Sequence, residues 1–451
     1  MTLLLLLVLA QGADQTPLLA SSTGPVLPLA EARRLALEGN PDLRVLQARL
    51  DQAHELSHKA WAAYLPQVTA GASWQRNNVG STLAFPYGAQ YPVRDVGTAG
   101  SPKLVAVPPT VDVILQQRDA LGTTVKGTQA IIAPSLWASI DAAYLSERAA
   151  ELNTENARRE ILLAVAQQYL GAVGLKEAIA VREAQLGTEQ QRERDTQIQF
   201  DSGTVNKITL LRAQIDRTQA EQDLRRSRYA YASAKSALAA LLDRGPDFEV
   251  EAPPEPAAPQ NLGLLEEQAP GRRPDVLGAR TTVEAARAGE NVYVLSYLPS
   301  VGFNGAYTYA NTTGFTGRHD SWYFGFGVTW TLLDGGLREA NLRDAAAKKR
   351  EAEAAARGSE VRARDEVRRA LNDLESAQAN RVKAEEQLRL ARENGALVRT
   401  NFEAGVATYL EQSDAITAVL NAALQLINER LNAQLAVLRL ERAAGLDDSN
   451  P

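Results

Sequence analysis

The sequence of 451 residues contains no cysteine. This absence excludes disulfide bonds, thiolate metal sites, a cysteine nucleophile and a lipid anchor on an N-terminal cysteine. It suits an oxidising compartment without proving one. An excess of positive charge is also missing, since the formal net charge is −6 and the isoelectric point is near 5.5. Because phosphate binding needs a basic face, nucleic acid is not expected as the main partner.

Long apolar runs are a third absence. Beyond the N-terminus, no run reaches the roughly 18 apolar residues that a membrane-spanning helix needs, so any membrane would be crossed by strands. The N-terminus itself has a short apolar run at Leu3–Ala10, which ends in a small-residue cleavage site but lacks a preceding positive charge. We interpret residues 1–27 as a signal peptide and N-terminal segment. The alternative is a frayed apolar tail.

What the sequence does contain is an internal repeat. Four short phrases occur twice in the same order, at offsets of 233, 233, 193 and 202 residues. The pairs are NPDL (40–43) with RPDV (273–276), YLP (64–66) with YLP (297–299), WASIDAA (137–143) with WTLLDGG (330–336), and FDSGTV (200–205) with FEAGVA (402–407). The shared order predicts a tandem duplication.

The duplication divides the chain into repeat one (28–245) and repeat two (270–445), with a short tail at 446–451. A Pro-rich linker at 246–269 separates the repeats. Each repeat is predicted to contain a helix, a strand hairpin, a very long helix, a glycine turn and a returning helix.

The strands of repeat two are predicted from their alternation. Trp322, Phe324, Phe326, Val328 and Trp330 alternate with smaller or polar residues, which gives one apolar face. In repeat one, the second strand is placed near 129–137, where Pro134 makes it irregular, after a loop at 76–127. An ordinary half-buried hairpin of a soluble sheet remains the alternative for this feature.

The helices are predicted from their composition and from the spacing of apolar residues that would form the contact seam between neighbouring helices. Residues 336–401 contain no proline and would form a helix of roughly 100 Å, and residues 141–200 one of roughly 90 Å. In repeat two, apolar residues recur every three or four positions near the end of the long helix and along the helix that returns after the glycine turn, as in a coiled coil. They are Leu388, Ala391, Gly395, Val398 and Phe402, then Leu420, Leu424, Ile427, Leu431 and Leu438.

The fold class is therefore α+β, with long α-helical hairpins and four strands per chain. Four strands cannot close a barrel, and lipid does not tolerate open sheet edges. Three copies would supply twelve strands, with the aromatic face toward lipid and the small, polar face toward a wet lumen.

These features together resemble the TolC-like outer-membrane efflux protein family. The motifs that carry the resemblance are LPLAEARRLALEGNPDL, AYLPQV, SYLPSVGFNGAY, WTLLDGG and FEAGVATYLEQSDA, and they extend from about Leu27 to Gly445. The resemblance implies a homotrimer with a twelve-stranded barrel in outer-membrane lipid and a helical tunnel across the periplasm. Its partners would be a periplasmic adaptor and an inner-membrane pump of the RND, ABC or MFS type, and it would have neither enzymatic activity nor a cofactor.

The resemblance also implies functional residues. The glycine turns would form the tip that contacts the adaptor, through Ser202, Gly203, Thr204, Ala404, Gly405 and Val406. Glu411, Asp414 and Phe402 would line the tunnel entrance, where three copies would gather six carboxylates in a cation-selective ring. Crowding of like charges would raise the pKa values of these carboxylates. Ala407 and Thr209 replace the residues that form the family's gate-locking salt link, so that link is not expected.

Two other functions have partial support in the sequence. HELSH at His54–His58 fits the HExxH pattern of zinc hydrolases, but a third protein ligand is not evident and repeat two has Arg287 and Asn291 at the equivalent positions. An exposed helix face is the preferred interpretation. A soluble coiled-coil scaffold would explain the helices but not the aromatic strand. Asp334 and Asp141 are interpreted as N-caps of the two long helices.

Overall fold

The computed structural model describes residues 24–86, 93–95, 98–101, 104–106, 110–256, 259 and 262–446. Most of the signal peptide and of the tail proposed from the sequence lies outside the described residues. The prediction of a mostly helical chain with additional strands is confirmed.

The chain alternates between long helices and short groups of strands. The helices are α1 (Leu29–Gly39), α2 (Pro41–Tyr64), α3 (Pro134–Asp201), α4 (Lys207–Leu241), α5 (Leu262–Arg272), α6 (Pro274–Leu295), α7 (Leu337–Glu403) and α8 (Tyr409–Ala444). The strands are β1 (Val26–Leu27), β2 (Gln67–Arg76), β3 (Ser81–Pro86), β4 (Val93–Asp95), β5 (Leu104–Ala106), β6 (Thr110–Gln116), β7 (Asp119–Ile132), β8 (Glu249–Val250), β9 (Ser300–Ala310) and β10 (Asp320–Thr329).

The described residues form two compact units. The sheet unit comprises residues 52–148 and 281–353, and the helical unit comprises the described residues before 52, those at 149–280 and those from 354 onward. No helix in the described part of the chain is both long and apolar enough to cross a membrane.

In the sheet unit, the main sheet has the strand order β10-β9-β7-β2, and all its pairs are antiparallel. The central pair, β7 with β9, joins the two repeats; for example, Val125 lies opposite Tyr307. The repeated YLP phrase lies between α2 and β2 in repeat one and between α6 and β9 in repeat two. In both repeats the phrase thus marks the place where a helix ends and a strand begins.

The second strand of repeat one differs from the prediction. The strand β7 ends at Ile132, and Pro134 begins α3. Proline is well accommodated in the first turn of a helix, where its missing N–H would have no helical partner. Trp137 and Asp141 therefore lie inside α3, so the N-cap assignment of Asp141 is wrong and the WASIDAA and WTLLDGG stretches do not share a conformation. The predicted loop at 76–127 also contains strands β3 and β6, which pair with each other.

The long helices confirm the prediction from composition. α3 has 68 residues and α7 has 67, so each extends for about 100 Å. On α7 the seam residues are less exposed than their neighbours, and Leu388 of α7 and Leu420 of α8 are buried. A Cβ built on Gly395 would lie 3.2 Å from Val419 of α8, which shows how closely α7 and α8 approach each other.

The core of the helical unit includes buried residues of repeat one around Tyr169 and Phe248. The hydroxyl of Tyr169 lies 2.7 Å from the carbonyl oxygen of Leu27 and 3.0 Å from that of Glu251, and its single proton is shared between them. These bonds hold the parallel pair of β1 and β8 against α3. The proposed linker at 246–269 thus contains β8 and the start of α5.

The residue before each repeated Pro-Asp pair is a buried polar anchor. Asn40 caps α2 by accepting from the N–H groups of Asp42 and Leu43, and its amide donates to Leu241 O at 2.8 Å. In repeat two, Arg273 is buried and forms ion pairs with Asp275 (2.8 Å) and Glu366 (2.6 Å). Both buried side chains thus find hydrogen-bonding partners on another helix of the helical unit, which is α4 for Asn40 and α7 for Arg273.

Candidate functional site at the helix turns and the aromatic strand

Two glycine turns reverse the long helices of the helical unit with the same backbone geometry. Gly203 and Gly405 have φ of 79° and 74°. In each turn the glycine N–H donates to the carbonyl three residues earlier, and the next N–H donates to the carbonyl five residues earlier. This is the Schellman type of helix end, which favours glycine because φ is positive. The predicted turns are confirmed.

The residues predicted to contact an adaptor are accessible in these turns. All six are exposed, and Val406 is 77% exposed although it is apolar. They are Ser202, Gly203, Thr204, Ala404, Gly405 and Val406. The hydroxyls of Ser202 and Thr204 lie 2.9 Å apart, so repeat one presents a polar turn and repeat two a more apolar one.

A capped helix follows each turn. Asn206 accepts a hydrogen bond from the N–H of Thr209 (3.0 Å) at the start of α4. Thr408 and Glu411 form a capping box at the start of α8. The short connections between helices are therefore fixed on both sides by local hydrogen bonds.

The acidic pair predicted for the entrance lies on the first two turns of α8. Glu411 and Asp414 are both exposed and three residues apart, which places them on one helix face. Hydrogen bonds from the N–H and hydroxyl of Thr408 lower the pKa of Glu411. The expected upward shift of this carboxyl is therefore not found within the chain, because the capping box stabilises its ionised form.

Phe402, the third predicted entrance residue, is half-buried. It lines a cavity together with Arg399 of α7 and Gln412 and Ile416 of α8. The cavity is also lined by residues of α3, so Phe402 borders a space between α3, α7 and α8.

The aromatic strand of the sheet unit has the predicted alternation. Trp322, Phe324 and Phe326 are about two-thirds or more exposed, and the rings of Trp322 and Phe324 are stacked with centroids 5.8 Å apart. Phe326 also contacts Phe303 of β9 at 5.5 Å. The three rings share one face of β10 and present a continuous apolar surface.

Trp330, also predicted to face lipid, lies just after β10 and is 60% exposed. Its Nε1–H donates to the carbonyl of Tyr297 at 3.0 Å. The Arg338 guanidinium lies 4.6 Å from the ring centroid of Tyr297, and Asp334 accepts from the backbone N–H and Nε of Arg338. The capping function of Asp334 at the start of α7 is confirmed. The contacts of Tyr297 with Trp330 and Arg338 were not predicted from the sequence, although the occurrence of this tyrosine in both YLP phrases was a signal.

The two histidines of HELSH contact different carboxylates. His54 Nδ1 lies 2.7 Å from Glu147 on α3, and His58 Nδ1 lies 3.4 Å from Glu55 on its own helix. His58 is well exposed, whereas His54 is only partly so. The exposed-face interpretation therefore holds for His58 and not fully for His54.

Comparison with known proteins gives the decisive observation. Residues 265–446 match the model of the family described as Outer membrane efflux protein. TolC of Vibrio cholerae is 23% identical over 446 residues, which cover 92% of this chain and 90% of TolC. OprJ of Pseudomonas aeruginosa is 28% identical over 244 residues, which are 51% of this chain and about half (48%) of OprJ. These matches confirm the resemblance to the outer membrane efflux protein family that the sequence motifs indicated.

The fold is similar to that of a solved outer membrane protein. The crystal structure of the outer membrane protein VceC from Vibrio cholerae superposes with a TM-score of 0.73 at 24% identity, covering 92% of this chain and 96% of VceC. At this identity the likeness concerns the fold. It extends the match from repeat two, where the family model lies, to repeat one.

Proposed function

We propose that the chain is one subunit of a trimeric conduit in the outer membrane that extends into the periplasm and lets substrates leave the cell. It performs no chemistry, and an inner-membrane pump supplies the energy. The observation that carries this proposal is the combination of an exposed aromatic strand with two capped helical hairpins in a chain whose residues 265–446 match the outer membrane efflux protein family.

The sheet supports the trimer. β10 and β2 are the outermost strands of the four-stranded sheet. Open sheet edges are not tolerated in lipid, so these edges need partners. Pairing of β10 of one copy with β2 of the next, repeated three times, closes a barrel of twelve strands. The aromatic face formed by Trp322, Phe324 and Phe326 then meets outer-membrane lipid, with Trp330 next to it.

The glycine turns are the proposed contact with a periplasmic adaptor, which links the conduit to an RND, ABC or MFS pump. Their support is the exposure of all six turn residues and the fixed backbone geometry at Gly203 and Gly405. A rigid, exposed turn loses little conformational entropy on binding, which favours its use as a contact.

The entrance is proposed to select for cations. Threefold symmetry would gather three copies of Glu411 and Asp414 around one opening, where charges are screened less than on an open surface. The low pKa of Glu411 supports this, since the carboxylate stays charged at mildly acidic pH.

The test uses the full-length protein purified in detergent. We expect a mass of three protein copies by light scattering and stepwise conductance after insertion into planar bilayers. A protein that stays soluble without detergent, as a monomer or coiled-coil dimer, and gives no conductance would refute the conduit and favour the scaffold alternative.

A further inference from the structure

A charged cluster is buried between three helices of the helical unit. Arg192 of α3, with a side chain only 5% exposed, forms an ion pair with Asp216 of α4. The same Nη2 group donates to the hydroxyl of Tyr409 on α8 at 2.6 Å, and the guanidinium lies 4.5 Å from the centroid of the Tyr409 ring. The Tyr409 hydroxyl donates to Asp216 at 2.9 Å. The cluster therefore joins the α3–α4 hairpin of repeat one to the returning helix of repeat two.

A second carboxylate is buried beside this cluster. Glu189 lies one helical turn before Arg192, its side chain is 6% exposed, and its Oε2 is 3.2 Å from Arg192 Nη2. This oxygen makes no hydrogen bond to any other described protein atom, and neither do Nε and Nη1 of Arg192. The buried carboxylate of Glu189 and the partly exposed carboxylate of Asp216 thus share one cation, which leaves an excess negative charge. Burial of a charge without full hydrogen bonding is unfavourable.

Neighbouring charges do not neutralise this excess. On the next turn of α3, Glu193 pairs with Arg217 of α4 at 2.7 Å. From α7, Arg399 and Glu403 line the same cavity as Arg192, but they pair with each other at 3.0 Å. α8 contributes Tyr409, whose pKa is raised by burial, so its hydroxyl stays a neutral donor. Glu189 remains the group whose charge is least compensated.

Proton binding by Glu189 has a defined sign. Burial raises the pKa of Glu189; the charge of Arg192 opposes this shift and that of Asp216 adds to it. An acid whose pKa is higher in the packed state than in water stabilises the packed state as the pH falls. Above that pKa the carboxylate is charged, and its burial favours separation of the helices around it.

We propose that Glu189, Arg192, Asp216 and Tyr409 form a proton-sensitive joint between the two helical hairpins. When Glu189 carries a proton, the α3–α4 hairpin packs closely against α8. When Glu189 is charged, these helices separate. This inference goes beyond the proposed function, because it concerns the contact between hairpins of one chain and requires no conduction.

The absence of cysteine makes the joint directly measurable. Cysteines at the exposed positions Thr218 on α4 and Thr417 on α8 would each carry a spin label. Double electron–electron resonance on detergent-purified protein, with labelled chains diluted in unlabelled ones, then reports the distance between the two helices. We expect a narrow, short distribution at pH 5 and a broader or longer one at pH 8.

Two substitutions on α3 separate the joint from general effects of pH. Glu189→Gln removes the excess charge but keeps the size of the side chain, so we expect the short distribution at both pH values. Glu183→Gln is the matched control, since Glu183 lies on the same helix, is about half exposed and pairs with Arg228 at the surface. The control should respond to pH as the parent does.

A third variant keeps the test decisive if Glu189→Gln folds poorly, as judged by helix content and thermal unfolding. Tyr409→Phe retains the ring over Arg192 but removes the hydroxyl bonds, so the distribution should broaden at both pH values. The proposal is overturned if the parent gives the same distribution at pH 5 and pH 8, if Glu189→Gln keeps the parent's response, or if Tyr409→Phe leaves the distances unchanged. Conductance of the same samples reports separately on the conduit.

Discussion

Thr408 and Glu411 hold each other in a reciprocal capping box at the start of α8. The Glu411 carboxylate accepts from the N–H of Thr408 at 2.7 Å and from its hydroxyl at 2.8 Å, while the Thr408 hydroxyl accepts from the N–H of Glu411 at 3.3 Å. The Glu411 side chain therefore stabilises the start of α8 in addition to the role in ion selectivity proposed for it. Substitutions at this position have to distinguish the two roles.

The first prediction concerns selectivity. The double variant Glu411→Gln/Asp414→Asn keeps the side-chain lengths, and Gln at the third helical position preserves capping. We expect trimer mass and helix content like the parent but a lower preference for cations in planar bilayers and weaker block by multivalent cations. Unchanged ion selectivity would mean that the acidic pair is only a solvated helix face.

The second prediction is the pH dependence of Glu411 itself. Its pKa lies below the ordinary value of a glutamate because the N–H and hydroxyl of Thr408 donate hydrogen bonds to the ionised form. A lowered pKa means that the stabilising contribution is present above the unfolded pKa and is lost as the pH falls through the folded one. In the parent, the part of the cation preference due to Glu411 should persist at pH 5. Its loss between pH 7 and pH 5 would show that crowding in the assembly outweighs the cap.

The third prediction tests the turn at Gly405. A β-branched residue at a φ of 74° costs about 1–2 kcal/mol, so Gly405→Val should distort the turn and reduce both adaptor co-purification and export. Gly405→Asn is the control, since asparagine tolerates the left-handed region better. If the valine variant binds and exports as well as the asparagine variant, the turn is not the docking site.

The fourth prediction tests the aromatic face. Phe326→Arg places a charge among the exposed rings of β10 and should cost roughly 2–4 kcal/mol near the middle of the bilayer, which lowers the yield of trimer. Tyr323→Arg is matched, because Tyr323 is exposed on the opposite face of the same strand. Equal trimer yields from the two variants, measured by gel filtration in detergent, would argue against a lipid-facing strand.

The fifth prediction concerns the buried anchor of repeat two. Arg273→Met removes the cation shared by Asp275 and Glu366, which are 30% and 40% exposed. Loss of one partner of a buried pair lowers the free energy of unfolding by about 3–5 kcal/mol, and the partial exposure of both carboxylates reduces the expected loss to about 2–3 kcal/mol. Chemical unfolding would measure this change. Arg280→Met, which removes a more exposed pair with Glu360, should cost less than 1 kcal/mol.

The features predicted best from the sequence are those with a strict local period or a special backbone angle. The alternation around Phe324 determines which side of β10 is aromatic, and the glycines at 203 and 405 mark the helix ends. The strand β7 was misplaced because its alternation is weak and Pro134 was taken as part of a strand. Proline is compatible with both a strand edge and the first turn of a helix, so its residue type does not decide between them.

The buried cluster around Arg192 could not be predicted from the sequence. Its members come from three helices and are separated by up to 217 positions. No spacing rule connects Asp216 with Tyr409, because helix packing brings them together. By contrast, the raised pKa expected for the trimeric ring stays a prediction, and what was missed is the local effect of the helix cap on Glu411. Thr408 lies three residues before it, and the T-x-x-E pattern of a capping box was visible in the sequence.

The pairing of β1 with β8 determines when repeat one can be completed during folding. Val26 lies opposite Glu249, and 249 − 26 gives a separation of 223 positions along the chain. The entropy of loop closure disfavours such distant contacts early, whereas the α3–α4 hairpin needs only neighbours across a short turn. We therefore expect the helical hairpins to nucleate first and the segment at Val26 to dock last, so a fusion placed close to Val26 would slow this late docking step and leave early helix formation unaffected.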